Sequence, residues 1–479
     1  MMKKTYLYAL ILLFLAANGC KKEIDQDPHD GIPSEDAFIT PDDFTNAIRG
    51  AYSSLRGLSY YGGQDNDAMT STPDVLSDNL VLNQQGRHSQ LKFYTYNYVS
   101  TDTWQLWGNA YRAILRTNFI LANIDNLPDG DFKDNVHGEA LAIRALAHFD
   151  LLRVYAKAYG SASDADLGVP YVTTVDFNAQ PSRTPLKQAY GFVVTDFVQA
   201  IQLLGSNNGP GRIHKAAAEG LLSRVYLYME QWQNCVDMAT AAIDDAPASN
   251  ALATIDEFPS IWTDETERDV LFKIRNLDAD DDPIGVGYKQ GTPEGVLPEY
   301  SVDYAFFQLF SDDDVRKDAY IAQTNFNGID YNYVYKYNGR PVGDADVVDI
   351  KVIRMGEVYL NRAEAYYQLD NDAAALADLN TLRSNRYAEF TDGTETGTAL
   401  YNAILLQRRL ELAFEGSRFF DLKRLGLPIE RSEFGDRADG SGIPVPDEAA
   451  TLPANDPLFQ LPIPQAEINT NPNIKQNDY

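Results

Sequence analysis

Four charged residues near the C-terminus have the spacing at which side chains could act together. Arg408, Glu411, Glu415 and Arg418 follow one another at i, i+3, i+7 and i+10, which places them along one face of a continuous helix. Two carboxylates of this kind could serve as the catalytic pair of a glycosidase. Each would lie beside an arginine, however, and a neighbouring arginine keeps a carboxylate ionised and removes the general acid. We therefore interpret the four residues as structural ion pairs.

Residue types that bind metals or form disulfides are sparse along the chain. The acidic runs Asp280–Asp282 and Asp312–Asp314 could attract Ca²⁺, but neither has the spacing of an EF-hand loop, and we interpret both as solvated loops. The five histidines include no paired spacing that would hold zinc. Only Cys20 and Cys235 occur, and Cys235 lies in a helical pattern, where a cysteine is typically a small buried hydrophobe. The sequence therefore predicts no metal site, no cofactor and no catalytic residue.

The composition of the 479-residue chain excludes one class of partner. The chain has 40 Lys and Arg against 69 Asp and Glu, a formal net charge of −29, and no run rich in Lys or Arg occurs. A surface that binds nucleic acid needs a basic patch to neutralise phosphates, so nucleic-acid binding is not expected. The hydrophobic share of 44% is typical of a globular protein.

The first residues have the pattern of an export signal. Two early lysines precede an apolar stretch, Tyr6–Ala17, which is too short to cross a membrane but suits a signal peptide. Small residues then lead to Cys20, a pattern that resembles bacterial lipoprotein signals, in which the peptide is cut before a cysteine that receives acyl chains. We expect residues 1–19 to be the signal peptide and 20–35 to be a tether lipidated at Cys20. An ordinary secretory signal with an incidental cysteine is the alternative.

Helical periodicity dominates the rest of the chain. In five segments apolar residues recur at i, i+3/4 and i+7/8, the spacing of amphipathic helices. These segments are Trp107–Leu121, Leu141–Tyr155, Ala218–Val225, Met355–Tyr366 and Leu406–Phe414. The pattern predicts a mostly α-helical protein whose helices are joined by turns of Pro, Gly, Asn and Asp.

Two segments resemble each other closely. Arg224–Trp232 and Glu364–Asp372 each combine a helix with a short turn, and small or apolar residues follow both at the same offsets. A helix, a turn and a second helix is the plan of the tetratricopeptide repeat, which is about 34 residues long. Stacked pairs of this kind bury a continuous core and present a broad surface for binding. We predict one large domain of tetratricopeptide-like helix pairs, with chance similarity between two helix hairpins as the alternative.

A loop-rich excursion interrupts the helices between residues 246 and 349. It is rich in Asp, Gly, Pro and Tyr, and it contains short runs such as Asp269–Arg275 that are typical of strands. Loops held on a rigid scaffold commonly carry binding specificity, so we expect the excursion to face the ligand. It separates a helical N-terminal region at 36–245 from a C-terminal region at 350–479.

Several short strings, each weak alone, form a specific set when taken in order. The longest are Glu411–Arg424, which contains Glu-Gly-Ser-Arg-Phe-Phe-Asp-Leu-Lys-Arg, and the C-terminal stretch Pro462–Asn477. The others are Asp78-Asn79, Trp107 with Tyr111 and Asn118, the run Glu139–Tyr159, and Arg354 with Glu357, Tyr359-Leu360 and Ala363–Ala365. The ordered set resembles the SusD/RagB family of outer-membrane nutrient-uptake lipoproteins over nearly the whole chain. Gln407 and Asp478 depart from the family pattern, which has Glu and Gly at those positions.

The resemblance implies a binding role without catalysis. Proteins of this family capture oligosaccharides, or sometimes peptides, at the cell surface above a TonB-dependent transporter of the SusC type. The chain would then be anchored in the outer membrane through its lipid and face the cell exterior, with its helical face on the transporter and its loop-rich side on the ligand. A peptide ligand is the first alternative, and a surface enzyme that degrades polysaccharide or a pure protein adaptor are the others.

The expected ligand contacts follow from the chemistry of sugars. Pyranose rings stack on Trp and Tyr, and their hydroxyls need polar partners. The candidate residues are Tyr60, Tyr61, Asp78, Asn79, Arg87, Trp104, Trp262, Tyr300 and Tyr304. Trp107 is not a candidate, because it lies on the apolar face of a predicted helix and is expected in the core. Asn118 is expected to form hydrogen bonds with backbone groups. An acidic protein suits uncharged sugars, since acidic polysaccharides would be repelled unless a local basic cluster exists.

Overall fold

Nine long helices form the scaffold within residues 37–63, 67–206 and 208–479, the parts of the chain that the computed structural model describes. They are α1 (Pro41–Leu55), α2 (Leu106–Asn123), α3 (Asp131–Tyr155), α4 (Leu186–Leu203), α5 (Lys215–Tyr228), α6 (Trp232–Asp245), α7 (Met355–Gln368), α8 (Asp372–Arg383) and α9 (Gly397–Glu411). Successive helices pack against each other from α2 to α8. The prediction of a mostly α-helical, tetratricopeptide-like fold is confirmed. The signal peptide, Cys20 and the tether to residue 35 lie outside the described residues.

Short helices connect or flank these long ones. Their bounds are Thr72–Val75, Leu91–Tyr94, Phe258–Ile261, Tyr304–Phe307, Val315–Tyr320, Arg418–Arg424, Asp447–Ala450 and Gln465–Thr470. Across the described ranges, the helices are too short or too polar to span a bilayer.

The first long helix shows how local sequence fixes an element. The Thr40 side chain accepts from the Asp43 N–H, and the Asp43 carboxylate accepts from the Thr40 N–H at 2.7 Å, which forms a capping box before Pro41. Phe44 and Ile48, four residues apart, are both buried. The helix therefore begins at a capped end and packs one apolar face against α2 and α3.

The two similar segments have the same turn geometry. In the turn from α5 to α6, Glu230 has φ +56° and the Gln231 N–H donates to Tyr226 O at 3.0 Å. In the turn from α7 to α8, Asp370 has φ +57° and the Asn371 N–H donates to Tyr366 O at 2.9 Å. Both are left-handed helix C-caps, which satisfy the last carbonyls of the first helix. The prediction of two equivalent helix hairpins is confirmed.

Short strands lie among and beside these helices in the described residues. They are β1 (Leu80–Leu82), β2 (Val270–Ile274), β3 (Lys289–Thr292), β4 (Gly295–Pro298), β5 (Tyr300–Val302), β6 (Ile321–Phe326), β7 (Ile329–Val334), β8 (Ile350–Arg354), β9 (Ile429–Glu430) and β10 (Thr451–Leu452). An antiparallel sheet has the order β1-β5-β7-β6, while β2 pairs with β8, β3 with β4 and β9 with β10. Strand β2 is the one expected within Asp269–Arg275, and its five residues are all buried because the β2–β8 pair contacts α5.

The C-terminal segment closes over the end of α3. The Leu461 N–H donates to Val154 O at 3.1 Å, and Asn477 Nδ2 donates to Tyr155 O at 2.8 Å. Arg183 Nη1 donates to Asn477 Oδ1 at 2.7 Å. The last residues of the chain thus satisfy carbonyl groups that the helix end leaves open.

Helix α9 ends earlier than its hydrophobic pattern indicates. The pattern continues to Phe414, but the helix stops at Glu411, and Phe414 and Gly416 have φ of +63° and +69°. A Cβ on Gly416 would lie 1.8 Å from Met69 O, so only glycine fits this close approach of the two chain segments. The interpretation of Arg408, Glu411, Glu415 and Arg418 as one helix face is therefore wrong, because Arg418 begins a separate helix.

Candidate functional site

The charged residues around Glu411 form a buried cluster. Arg386 donates to both carboxylate oxygens of Glu411 at 2.9 and 3.0 Å, and Arg354 Nη1 donates to one of them at 2.9 Å. All three side chains are at most 1% exposed. Burial alone would raise the pKa of Glu411, but Arg386 and Arg354 hold this pKa well below the ordinary carboxyl range. A general acid must carry a proton near neutral pH, so Glu411 is unsuited to that role.

Asp78 and Asn79 join the N-terminal region to the C-terminal helices. Arg418 donates to both carboxylate oxygens of Asp78 at 2.8 Å, and Arg409 Nε donates to Asn79 Oδ1 at 2.9 Å. Both Asp78 and Asn79 are buried. Burial opposes ionisation of Asp78, but Arg418 and Arg409 outweigh it and lower the pKa of this carboxyl. These contacts favour a structural role for the two residues.

Four of the candidate aromatic residues lie in the core. The hydroxyls of Tyr60 and Tyr61 both donate to Asp150 Oδ2 at 2.9 Å. Trp104 Nε1 donates to a backbone carbonyl at 2.9 Å, and the Trp104 ring, which the sequence places in a polar loop, is fully buried. Tyr300 is also fully buried. These rings pack against the protein itself and do not offer a face to solvent.

Arg87 and Tyr304 reach the surface. Arg87 is exposed, its N–H donates to Glu299 Oε2 at 2.8 Å, and its Nη2 donates to a backbone carbonyl at 2.7 Å. Tyr304 is half-buried, and its ring lies edge-on to Phe434 with centroids 5.0 Å apart. Their role as ligand contacts stays a prediction.

A cleft of about 540 Å³ lies in the loop-rich excursion. Its lining includes the aromatic residues Trp262 and Tyr335, the acidic residues Asp312–Asp314 and Asp318, and the amide of Asn338. Of the nine candidate contacts, Trp262 lines this cleft. Aromatic surface, carboxylates and an amide therefore converge on one concave surface, the combination by which small polar ligands are oriented.

The two aromatic residues of the cleft differ in accessibility. Trp262 is 3% exposed, and the Lys336 ammonium lies 3.9 Å from its ring centroid, so one indole face is covered by a cation. Lys336 also donates to Glu415 Oε1 at 2.7 Å, and burial lowers the pKa of Lys336 to about 7 against the pull of that carboxylate. Tyr335 is 38% exposed, which makes it the ring that a ligand in the cleft can reach.

A second depression of about 420 Å³ adjoins the first. Its lining includes Phe307, Lys317, Ile321 and Asn332, and it shares Asp318 and Tyr335 with the first cleft. We call the two depressions together the double cleft. Because they share two side chains, they form a continuous surface with Tyr335 between them.

Tyr335 is not among the nine candidate contacts, although the sequence places it in a run of tyrosines. Tyr331, Tyr333, Tyr335 and Tyr337 alternate along one run, a period of two. Tyr331, Tyr333 and Tyr337 are buried, whereas Tyr335 follows the last residue of β7 and is exposed. The alternation marks Tyr335 as an aromatic candidate, while the exposure of its ring follows from the end of β7 one residue earlier.

Aspartates in both acidic runs form ion pairs with nearby basic side chains. Arg56 Nη1 lies 2.6 Å from Asp280, Lys317 Nζ lies 2.6 Å from Asp312, and Arg316 Nη2 lies 2.8 Å from Asp314. Within the described ranges, no group of three or more His, Cys, Asp or Glu side chains is arranged to hold a metal ion.

Three further expectations concern single buried residues. Trp107 is 4% exposed, as expected for the core. Asn118 Nδ2 donates to Val172 O at 3.0 Å, which is the backbone contact expected of it. Cys235 is fully buried, and burial raises the pKa of its thiol, so it is a packing residue.

Two protein families match different parts of the chain. The SusD family matches residues 324–479, and the family described as starch-binding and associating with the outer membrane matches residues 42–227. The chain is similar to SusD-like protein P2 of Formosa agariphila, 24% identical over 534 residues that cover 99% of both chains. It is also similar to the starch-binding protein SusD of Bacteroides thetaiotaomicron, 31% identical over 148 residues that cover 30% of this chain and 24% of that protein.

Solved structures extend the likeness to the whole fold. A SusD superfamily protein of Bacteroides thetaiotaomicron superposes with a TM-score of 0.81 at 28% identity, covering 92% of this chain and 100% of the other. A SusD-like carbohydrate-binding protein of Bacteroides vulgatus superposes with a TM-score of 0.77 at 21% identity, covering 91% and 98%, which shows a shared fold. The family matches, the relatives and the superposed folds agree with the ordered strings of the sequence. The chain belongs to the SusD/RagB family.

Proposed function

We propose that the chain is a cell-surface binding protein that captures oligosaccharides in the double cleft. In this proposal a sugar ring stacks on the exposed face of Tyr335, and neighbouring rings extend into the depressions on either side. The observation that carries the proposal is the continuity of two depressions through one exposed aromatic ring. A linear oligosaccharide needs such an extended surface, since each sugar presents an apolar face and a rim of hydroxyls.

The polar lining supports an uncharged saccharide as the ligand. Asp318 lies in both depressions, and Asn338 and Asn332 contribute one amide to each. Carboxylates accept hydrogen bonds from sugar hydroxyls, and amides both accept hydrogen bonds from them and donate to them. Asp312 and Asp314 are paired with Lys317 and Arg316, so Asp313 and Asp318 give the surface its negative charge. This charge would repel a polyanion at the same place.

The names of related proteins support carbohydrate as the ligand class. One matching family is described as starch-binding, and a relative 31% identical over 148 residues is a starch-binding protein. These names describe binding proteins, in agreement with the absence of a suitable general acid at Glu411. A peptide ligand is the second candidate, because exposed aromatic and acidic side chains also bind peptides.

Delivery and anchoring complete the proposal. The chain would hand its ligand to a SusC-like TonB-dependent transporter docked on the tetratricopeptide-like helices, and the lipid on Cys20 would hold it in the outer membrane. The description of one matching family as associating with the outer membrane supports this location. Stacked helix pairs provide the broad surface that such a partner needs.

A panel experiment tests the ligand class. A soluble form that starts at Lys21 is mixed with neutral oligosaccharides, with acidic oligosaccharides and with peptides, and its melting temperature is measured for each. We expect the neutral oligosaccharides to raise the melting temperature and to be recovered without new reducing ends. Release of reducing ends would contradict a pure binding role, and stabilisation by peptides alone would favour the second candidate.

Replacement of Cys20 by alanine tests the anchor. We expect the Cys20→Ala protein to appear in the soluble fraction, because a chain without acyl groups has lost its attachment to the bilayer. The measurement is immunoblotting of membrane and soluble fractions from cells that express each form. A Cys20→Ala protein that remains in the membrane fraction would contradict lipidation at this residue.

A further inference from the structure

One buried lysine differs from the other buried lysines of the described residues. Four of these lysines lie within 3 Å of a carboxylate oxygen: Lys273 beside Asp349, Lys289 beside Asp346, Lys336 beside Glu415 and Lys351 beside Asp264. Lys423 is also buried, at 8% exposed, but within the described residues its Nζ forms no ion pair with a carboxylate. A buried charge without a counter-charge is costly, so this lysine calls for a physical explanation.

The Lys423 ammonium has donors to spare and faces a cavity. Its Nζ donates to Arg153 O at 2.7 Å, and an ammonium group has three N–H donors. Lys423 lines a cavity of about 320 Å³ together with residues of the segments 157–161 and 455–460. Burial and the neighbouring charge of Arg153 lower the pKa of Lys423 to about 7. An anion in the cavity would supply the missing counter-charge.

A second lysine lines the same cavity. Lys157 is half-exposed, and its Nζ lies 2.6 Å from Asp166. An ion pair at the surface contributes little to stability, so Lys157 can turn from Asp166 toward a ligand at little cost. One carboxylate, that of Asp456, also lines the cavity, and one of its oxygens accepts from the Leu458 N–H at 2.9 Å. Two lysines, uncharged polar side chains and one carboxylate therefore line the cavity, and that carboxylate already accepts a hydrogen bond.

We propose that this cavity binds the anionic group of an acidic saccharide, a uronate carboxylate or a sulfate ester, with Lys423 and Lys157 as its cationic contacts. The saccharide part of this statement rests on the proposed function. The cavity shares no lining residue with the double cleft, so the protein has separate places for neutral and acidic sugars. A local basic site of this kind lets a strongly acidic chain accept an acidic sugar without a basic surface.

Calorimetric titrations with glucuronate, glucose 6-sulfate and glucose test the proposal at constant ionic strength. We expect the wild-type chain to bind the two anions, and Lys423→Met to weaken this binding about tenfold or more, since hydrogen bonds to charged groups are strong. Lys423→Met should fold, because it removes a buried charge and leaves no carboxylate unpaired, and Arg153 O loses one donor. Lys157→Met should give a smaller loss. The matched control is Lys187→Met, which removes an exposed lysine paired with Asp164 at 3.0 Å and should change nothing.

Two results would overturn the anion site. One is equal binding of glucose and glucuronate by the wild-type chain, and the other is glucuronate binding by Lys423→Met within twofold of wild type. Neutral oligosaccharides are titrated in parallel to separate this proposal from the first. Retained neutral binding with no dependence of anion binding on Lys423 would remove the anion site alone. Anion binding that depends on Lys423 without any neutral binding would remove the double cleft and keep the anion site.

Discussion

Replacement of Glu411 by glutamine is expected to lower the free energy of unfolding by about 3–5 kcal/mol, because it leaves buried arginines without their shared carboxylate. Arg386 and Arg354 each donate to Glu411, and Arg316 Nη1 lies 3.3 Å from it. The other acids nearby, Asp269 among them, already bond these arginines and cannot replace the lost charge. Urea denaturation of wild-type and Glu411→Gln chains, followed by circular dichroism, measures the difference.

The dependence of this difference on pH follows from the pKa of Glu411. The folded-state pKa lies below the ordinary carboxyl value of about 4.3, so the ionised side chain stabilises the fold fully above that value. The contribution is lost as the pH falls toward the folded-state pKa, and the two chains should converge in acid. The control is Glu448→Gln, which changes an exposed glutamate and should stay within about 0.5 kcal/mol of wild type. A Glu411→Gln chain as stable as this control at neutral pH would contradict the account of the cluster.

Replacement of Tyr335 by alanine is expected to weaken oligosaccharide binding about 5- to 30-fold, the effect of losing 1–2 kcal/mol of contact at an aromatic anchor. Tyr335 is the exposed ring shared by both depressions, so its loss removes stacking for the sugar at the centre of the double cleft. Its backbone N–H donates to Tyr320 O at 2.8 Å, a contact that alanine keeps. Calorimetric titration with the best neutral oligosaccharide of the panel measures the change.

A tyrosine of similar exposure elsewhere provides the control. Tyr479 is 43% exposed and lies at the end of the chain, away from the lining of the double cleft. Tyr479→Ala should bind the oligosaccharide as tightly as wild type. Equal affinities of wild-type and Tyr335→Ala chains would show that the sugar binds elsewhere.

The sequence predicts the scaffold better than the site because the scaffold depends on local patterns. The left-handed residues Glu230 and Asp370 follow helices whose periodicity is visible in short windows, and both hairpins form where the repeat comparison places them. The end of α9 depends instead on the approach of Gly416 to Met69, more than three hundred residues earlier in the chain. A pattern of apolar residues in a short window cannot predict a contact between such distant segments.

The candidate contacts show the same limit. Tyr60 and Tyr61 stand beside glycines in the sequence, which suggests exposed aromatic residues. In the structure both hydroxyls donate to Asp150, about ninety residues later, and both rings lie in the core. Tyr335 is exposed because the strand ends one residue before it, a boundary that the run of tyrosines does not reveal. Residue type predicts which side chains suit a sugar, while tertiary packing decides which of them a sugar can reach.

A crystal structure of the chain grown with a neutral oligosaccharide would show whether the double cleft is the binding surface. We expect density for a sugar ring stacked on Tyr335, with hydroxyls bonded to Asp318 and with neighbouring rings in the two depressions of the double cleft. An oligosaccharide bound instead beside Arg87 or Tyr304, with the double cleft empty, would contradict this expectation.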